Sequence, residues 1–124
     1  TLLEADHAAL EAARRNVTDP RARLEWADVT RLGREAGPFD AVVSNPPFHA
    51  GRRAEPELGT RFIEAASRLL DRKGTAHFVA NRHLPYERVL ERCFARLEAE
   101  GRPGGYKILT ASLPGSDAQR RHRK

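Results

Sequence analysis

The chain has 124 residues, 40% hydrophobic and 31% charged, which is the balance of one soluble globular domain and is long enough to bury a core. No apolar run approaches the roughly 20 residues of a membrane helix, no signal-peptide pattern opens the chain, and the single cysteine, Cys93, excludes an internal disulfide. A reducing cytoplasm is therefore the expected compartment. The net charge of +5 sits largely in Arg120, Arg121, Arg123 and Lys124, without which the body is close to neutral. Such a tail can hold RNA phosphates through counterion release, or can simply be a solvated end. Methionine is absent and the chain opens at Thr1 in what reads as a strand, so we expect a piece of a longer protein.

Thr1-Leu2-Leu3-Glu4 is a short apolar run closing on an acid. From Ala8 to Val17, Leu10, Ala13 and Val17 fall at helical spacing, with Asp6 as N-cap. Asp19-Pro20 signals a turn. Leu24 and Trp26 alternate with Arg23 and Glu25, which predicts a strand ending near Asp28. Gly33 and Gly37-Pro38 break the next stretch, and Phe39 to Ser44 is the following strand. A loop then runs through Gly51 to Pro56, a favourable first helical residue. Leu58, Phe62, Ala65, Ala66 and Leu69 mark one face of a helix whose carboxyl end is suited by Arg72, Lys73 and Gly74. Thr75 to Ala80 reads as a buried strand, and Tyr86, Val89, Leu90, Cys93, Phe94 and Leu97 draw a second helical stripe. Gly101 to Gly105 is a turn-rich link before a last strand from Tyr106 to Ala111.

Alternating strands and helices imply an α/β sheet with helices on both faces. Ligands of such sheets bind beyond the carboxyl ends of the strands, and Glu4, Asp28, Asn45 and Asn81 all fall at strand ends. Asn45-Pro46-Pro47-Phe48 is the chemically richest of these places. Two prolines fix φ and restrict the residue before each of them, so Asn45 sits on a stiff loop. The amide oxygen of Asn45 and the carbonyl of Pro46 can both accept hydrogen bonds from an exocyclic amino group. Two acceptors on a delocalised aryl amine orient its nitrogen toward a methyl donor and favour the charge that builds there. Phe48 can stack on the base. A plain turn after a strand is the competing interpretation, weakened by the preceding Asp-Ala-Val-Val-Ser and by Phe48 itself. His77 and Cys93 read as core residues, and no His, Cys, Asp or Glu cluster has metal-ligand spacing.

Asp40 through Phe48 resembles motif IV of class I methyltransferases acting on amino groups of nucleobases or of protein glutamine. Ser44-Asn45-Pro46-Pro47-Phe48-His49, Val79-Ala80-Asn81-Arg82-His83-Leu84-Pro85-Tyr86 and Gly105-Tyr106-Lys107-Ile108 are similar to the ribosomal RNA small-subunit methyltransferase C family, from Leu2 to about Ser112. The resemblance implies a Rossmann-like methyltransferase sheet over residues 1–115, incomplete because the first strand, its glycine loop and the first helix are missing, with 116–124 a disordered tail. It implies S-adenosyl-L-methionine as cofactor, with Glu4 on the ribose hydroxyls, Asp28 at the adenine amino group, Val29 supplying a backbone contact, and Asn45 beside it. Asp6 rivals Glu4, but its position suits helix capping. Asn45, Pro46, Pro47 and Phe48 would form the catalytic loop, and Phe48, Asn81, Arg82 and Tyr86 would line the substrate side. Asn81, Arg82 and Tyr86 could also serve only packing or capping, and His49 has no assigned proton-transfer role. The implied activity is methylation of the guanine 2-amino group of ribosomal RNA, with protein-glutamine methylation or a non-catalytic RNA-binding module as alternatives. The implied partner is RNA, with neither membrane nor metal. Because the missing strand would lie between those ending at Glu4 and Ser44, the 124 residues alone are expected to bind S-adenosylmethionine weakly.

Overall fold

A computed structural model describes residues 1–47, 49–50 and 53–115; Phe48 and the basic tail 116–124, including the disorder expected of it, lie outside the described residues. The chain forms two compact units, Thr1–Leu32 and the remainder from Gly33 onward.

The first unit is a small β-α-β structure. Strand β1 (Leu2–Glu4) and strand β2 (Leu24–Trp26) pair in parallel, Leu2 opposite Leu24 and Glu4 opposite Trp26. Helix α1 (His7–Asn16) crosses between them. The Asp6 carboxylate accepts from Ala8 N–H at 3.0 Å, which is the capping role expected of a short acid at that position. Arg14 and Arg15 occupy the last turn, where cations complement the helix dipole. Leu10 is the buried anchor. Strand β2 stops at Trp26, short of Asp28, because Asp28 instead caps a 3-10 turn over Val29–Arg31.

The second unit is built on a four-stranded mixed sheet in the order β3-β6-β8-β7. Its strands are β3 (Phe39–Ser44), β6 (Leu70–Asn81), β7 (Phe94–Arg102) and β8 (Tyr106–Pro114). The pairs β4 (His49–Ala50) and β5 (Arg53–Ala54) make a minimal antiparallel ladder within the segment read from sequence as loop. Strand β3 runs parallel to β6, whereas β8 is antiparallel to both β6 and β7. Helices α2 (Pro56–Leu69) and α3 (Glu87–Cys93) pack on a single face of this sheet. Alternation places Ala76, Phe78 and Ala80 of β6 and Leu109 and Ala111 of β8 on that face, where Ile63, Ala66, Val89 and Leu90 cover them. The opposite face is far less covered, with Val43 78% exposed. Among the described residues, β1 pairs only with β2 and β3 only with β6, so each of these two strands carries an unpaired edge.

Two further sequence expectations change. Helix α2 ends at Leu69, and Arg72, Lys73 and Gly74 lie inside β6 instead of closing the helix. Pairing jumps from Phe39–Leu70 to Ala41–Thr75, so the turn-forming residues appear as a bulge, with the Asp71 carboxylate accepting from Lys73 N–H at 3.0 Å. Gly74 is required there: a Cβ would lie 2.7 Å from Leu70 Cδ1 and 2.8 Å from the Asp40 carbonyl oxygen. Helix α3 stops at Cys93, so Phe94 and Leu97 belong to β7. That strand escapes sequence analysis because Phe94 and Leu97 continue the helical spacing, while Arg96, Glu98, Glu100 and Arg102 give it the charged character of a protected sheet edge.

Candidate functional site

In the second unit, parallel pairing sets the carboxyl ends of β3 and β6 side by side, with Ser44 opposite Phe78. Asn45 leaves β3 directly and is exposed, while Pro46 is buried and Pro47 half-buried. The loop is therefore anchored through a proline, and its amide faces solvent. Asn81 is the last residue of β6 and is half-buried; its carbonyl accepts from Leu84 N–H at 3.1 Å, closing the turn that follows. The fold thus brings Asn45 and Asn81 to one end of two neighbouring strands. Phe48 lies outside the described residues, and only the backbone of His49 is described, in β4.

Arg82 is exposed and fastened to the β7–β8 hairpin. Its N–H donates to the Gly105 carbonyl at 2.7 Å and its guanidinium to the Arg102 carbonyl at 3.0 Å. Tyr86 is placed differently from Asn81 and Arg82. It is 2% exposed, packed in the core at the start of α3, and its hydroxyl is buried without a partner. The phenol lies against Gly59 of α2, where an added Cβ would overlap the hydroxyl oxygen. Burial pushes the Tyr86 phenol upward from its ordinary pKa. His77 is half-buried in β6. Cys93 is half-buried too, its thiol pushed up mainly by burial, with Glu64 adding to the shift and Arg92, Ser67 and Arg68 opposing it.

Lys107, part of the Gly105–Ile108 motif, has a role that the sequence did not reveal. From the core face of β8, at 7% exposure, its ammonium donates to the Leu84 carbonyl at 2.6 Å and to Glu87 at 2.5 Å. It ties the Asn81–Tyr86 turn to the first turn of α3. A lysine at an alternate, otherwise buried position of β8 is the signal that could have found it, since an unpaired cation there would be prohibitive.

In the first unit the carboxyl ends of β1 and β2 gather Glu4, Trp26 and Asp28. Glu4 ends β1, and one of its carboxylate oxygens accepts from Ala5 N–H at 2.9 Å. The Asp28 carboxylate accepts from Thr30 N–H at 3.0 Å and from the Thr30 hydroxyl at 2.6 Å, and pairs with Arg31 at 3.6 Å. Val29 opens the 3-10 turn, and its carbonyl accepts from Leu32 N–H. Trp26 was not singled out from sequence. It is 66% exposed, yet its indole N–H donates to the Ala5 carbonyl at 2.8 Å and its ring meets His7 edge-on at 5.0 Å. The result is a fixed aromatic surface next to Glu4. Among the described residues no group of three His, Cys, Asp or Glu side chains could hold a metal, and no helix is long and apolar enough to cross a membrane.

Polar groups at the carboxyl ends of parallel strands, with a proline-stiffened asparagine among them, agree with a sequence profile that matches residues 1–110, that of the methyltransferase small domain. The chain belongs to the methyltransferase small domain family. Relatives include the ribosomal RNA small subunit methyltransferase C of Idiomarina loihiensis, 40% identical over 77 residues, which is 62% of this chain and 23% of that protein. The protein of the same name from Shewanella piezotolerans is 39% identical over 79 residues, 64% of this chain and 23% of its own length. The chain thus spans under a quarter of these relatives. Among solved structures, the T. thermophilus 16S rRNA N2 G1207 methyltransferase (RsmC), in complex with AdoMet and guanosine, superposes with a TM-score of 0.73 and 28% identity. That match covers 89% of this chain and 30% of the other. A "predicted O-methyltransferase" from Agrobacterium tumefaciens gives 0.69 and 27%, covering 93% of this chain and 62% of the other. The fold is accordingly the Rossmann-like one of this methyltransferase family.

Proposed function

We propose that the protein carrying this chain transfers a methyl group from S-adenosyl-L-methionine to the guanine 2-amino group of small-subunit ribosomal RNA, in the bacterial cytoplasm. The observation that carries this reading is Asn45, exposed on a loop anchored by the buried Pro46 at the carboxyl end of β3, next to the strand that ends in Asn81. A methyltransferase solved with guanosine and similar to 89% of this chain supports guanine as the acceptor.

The chemistry follows from these groups. The Asn45 amide oxygen and Pro46 carbonyl accept the two N–H bonds of the guanine amino group, and this aims the nitrogen lone pair away from the loop. As nitrogen gains positive charge, the same dipoles stabilise it without reorganising, because the prolines hold them. The cofactor supplies an electrophilic methyl on its sulfonium. Glu4 suits its ribose hydroxyls as a carboxylate at a strand end, and the fixed indole of Trp26 offers an apolar surface for its adenine. With Asp28 bonded to Thr30, its adenine contact falls more naturally to the turn it caps, whose first residue is Val29. The methylated amine is acidic and loses its extra proton to water, so no dedicated base is needed. The base must be unpaired or extruded to reach this loop.

The test is methyl transfer by the full-length protein to ribosomal RNA or small subunits lacking the modification. Nuclease digestion and mass spectrometry should find N2-methylguanosine. Methyl groups recovered on protein glutamine or on a hydroxyl oxygen would overturn the assignment.

A further inference from the structure

The β7–β8 hairpin carries features that neither folding nor the catalytic loop uses. Strand β8 alternates sharply: Lys107, Leu109 and Ala111 are buried, whereas Tyr106 at its start is 46% exposed. Register puts Tyr106 opposite Asn81 on one side and opposite Arg102 on the other. These three residues form one row across three strands, at the end of β6 where Asn81 already stands. Arg82 adjoins the row through its bonds to the Gly105 and Arg102 carbonyls.

The hairpin tip turns through two glycines. Gly104 and Gly105 adopt φ of 83° and 80°, which side-chain-bearing residues rarely do. Gly104 lies beside the Tyr106 ring and Gly101 beside the Arg82 guanidinium, each within van der Waals reach of an added Cβ. Glu100 pairs with Arg102 at 3.2 Å in an exposed contact of little energetic weight. Arg82 spends one of its five N–H bonds on the hairpin, which leaves donors for a phosphate.

We propose that this hairpin tip is an RNA-contacting platform separate from the methyl-transfer loop. Tyr106 stacks on an unpaired base flanking the target guanine, and Arg82 and Arg102 contact the neighbouring phosphates. The inference rests on the RNA-methylation reading given above. Exposed aromatic faces flanked by cations bind single strands in this way, since every base offers a π-face and every nucleotide a charge.

The full-length protein is titrated with a fluorescent single-stranded RNA centred on a guanine. Tyr106→Ala should weaken binding on the order of tenfold, and Tyr106→Phe should retain it. Arg102→Ala should lower the slope of log affinity against log salt by about 1. In all three variants, S-adenosylmethionine affinity and kcat at saturating RNA should match the parent, with KM for RNA raised by Tyr106→Ala and Arg102→Ala. Equal RNA affinity for the parent and Tyr106→Ala overturns the platform while leaving the proposed function intact. A parent protein that binds no RNA overturns both. Should Tyr106→Ala fail to fold, an unchanged salt slope in Arg102→Ala overturns the platform.

Discussion

Lys107 reaches from the core face of β8 to Glu87 at the start of α3, and on the way bonds the carbonyl of Leu84. One buried cation therefore joins the last strand, the turn after β6 and a helix end. An apolar residue at position 107 would be easier to bury, so the lysine is explained by what it orients. Lys107→Met should destabilise the fold by about 1–3 kcal/mol, the cost of leaving the Leu84 carbonyl without a partner. Glu87→Gln keeps an acceptor but leaves the buried Lys107 ammonium without its counter-charge, so it should cost at least as much as Lys107→Met, which removes the cation altogether. Urea denaturation of both variants checks the order. A clearly smaller loss in Glu87→Gln than in Lys107→Met would mean that the carbonyl bond, not the charge pair, holds the turn.

Tyr86 provides a second test, since its hydroxyl is buried and unpartnered. Tyr86→Phe should leave stability unchanged or raise it by up to about 1 kcal/mol, because a desolvated O–H with no bond contributes nothing. Gly59→Ala should destabilise by at least about 2 kcal/mol, since the new methyl would overlap the phenol. Thermal melting of the two variants measures both effects. If Tyr86 touches the target base, Tyr86→Phe will lower turnover, whereas a packing role leaves it unchanged.

Alkaline pH should weaken the fold. Cys93 and Tyr86 both bind their protons more tightly in the folded chain than in the unfolded one, chiefly because burial disfavours the anion. The unfolded chain therefore holds fewer protons than the folded chain above the ordinary thiol value of 9.0 and phenol value of 10.0. Stability is fully present below those values and falls as pH rises through them. The denaturation midpoint should decline between about pH 9 and 11, and Cys93→Ser should flatten the first part of that decline. A midpoint that rises over this range would contradict the burial of both groups.

Most of the β-α-β order was legible because Leu2–Glu4, Phe39–Ser44 and Thr75–Ala80 are short apolar runs bounded by strong breakers. Asp6 and Pro56 marked two helix starts by chemistry that is local and therefore visible in sequence. Strand β7 was not legible, since its apolar residues keep helical spacing and its pairing with β8 is set by the Pro103-Gly104-Gly105 turn and the distant partner. The candidate site divides similarly. Glu4, Asn45 and Asn81 stand at strand ends as expected, because strand termini follow from the run lengths. Tyr86 looked like a substrate contact by its motif, yet the stripe it shares with Val89 and Leu90 carries it into the core. The roles of Trp26 and Lys107 were overlooked because what fixes them, the Ala5 carbonyl and the Leu84–Glu87 pair, is a tertiary contact.

The most direct measurement is the turnover of Asn45→Ala in the full-length protein, using hypomethylated small-subunit RNA and read together with its melting temperature. Asn45 is exposed at the end of β3, so its loss should scarcely alter melting, while kcat should fall on the order of 10²–10³-fold as one preorganised acceptor of the amino group disappears. Near-normal turnover with unchanged melting would remove Asn45 from the chemistry and contradict the account of the Asn45-Pro46-Pro47 loop.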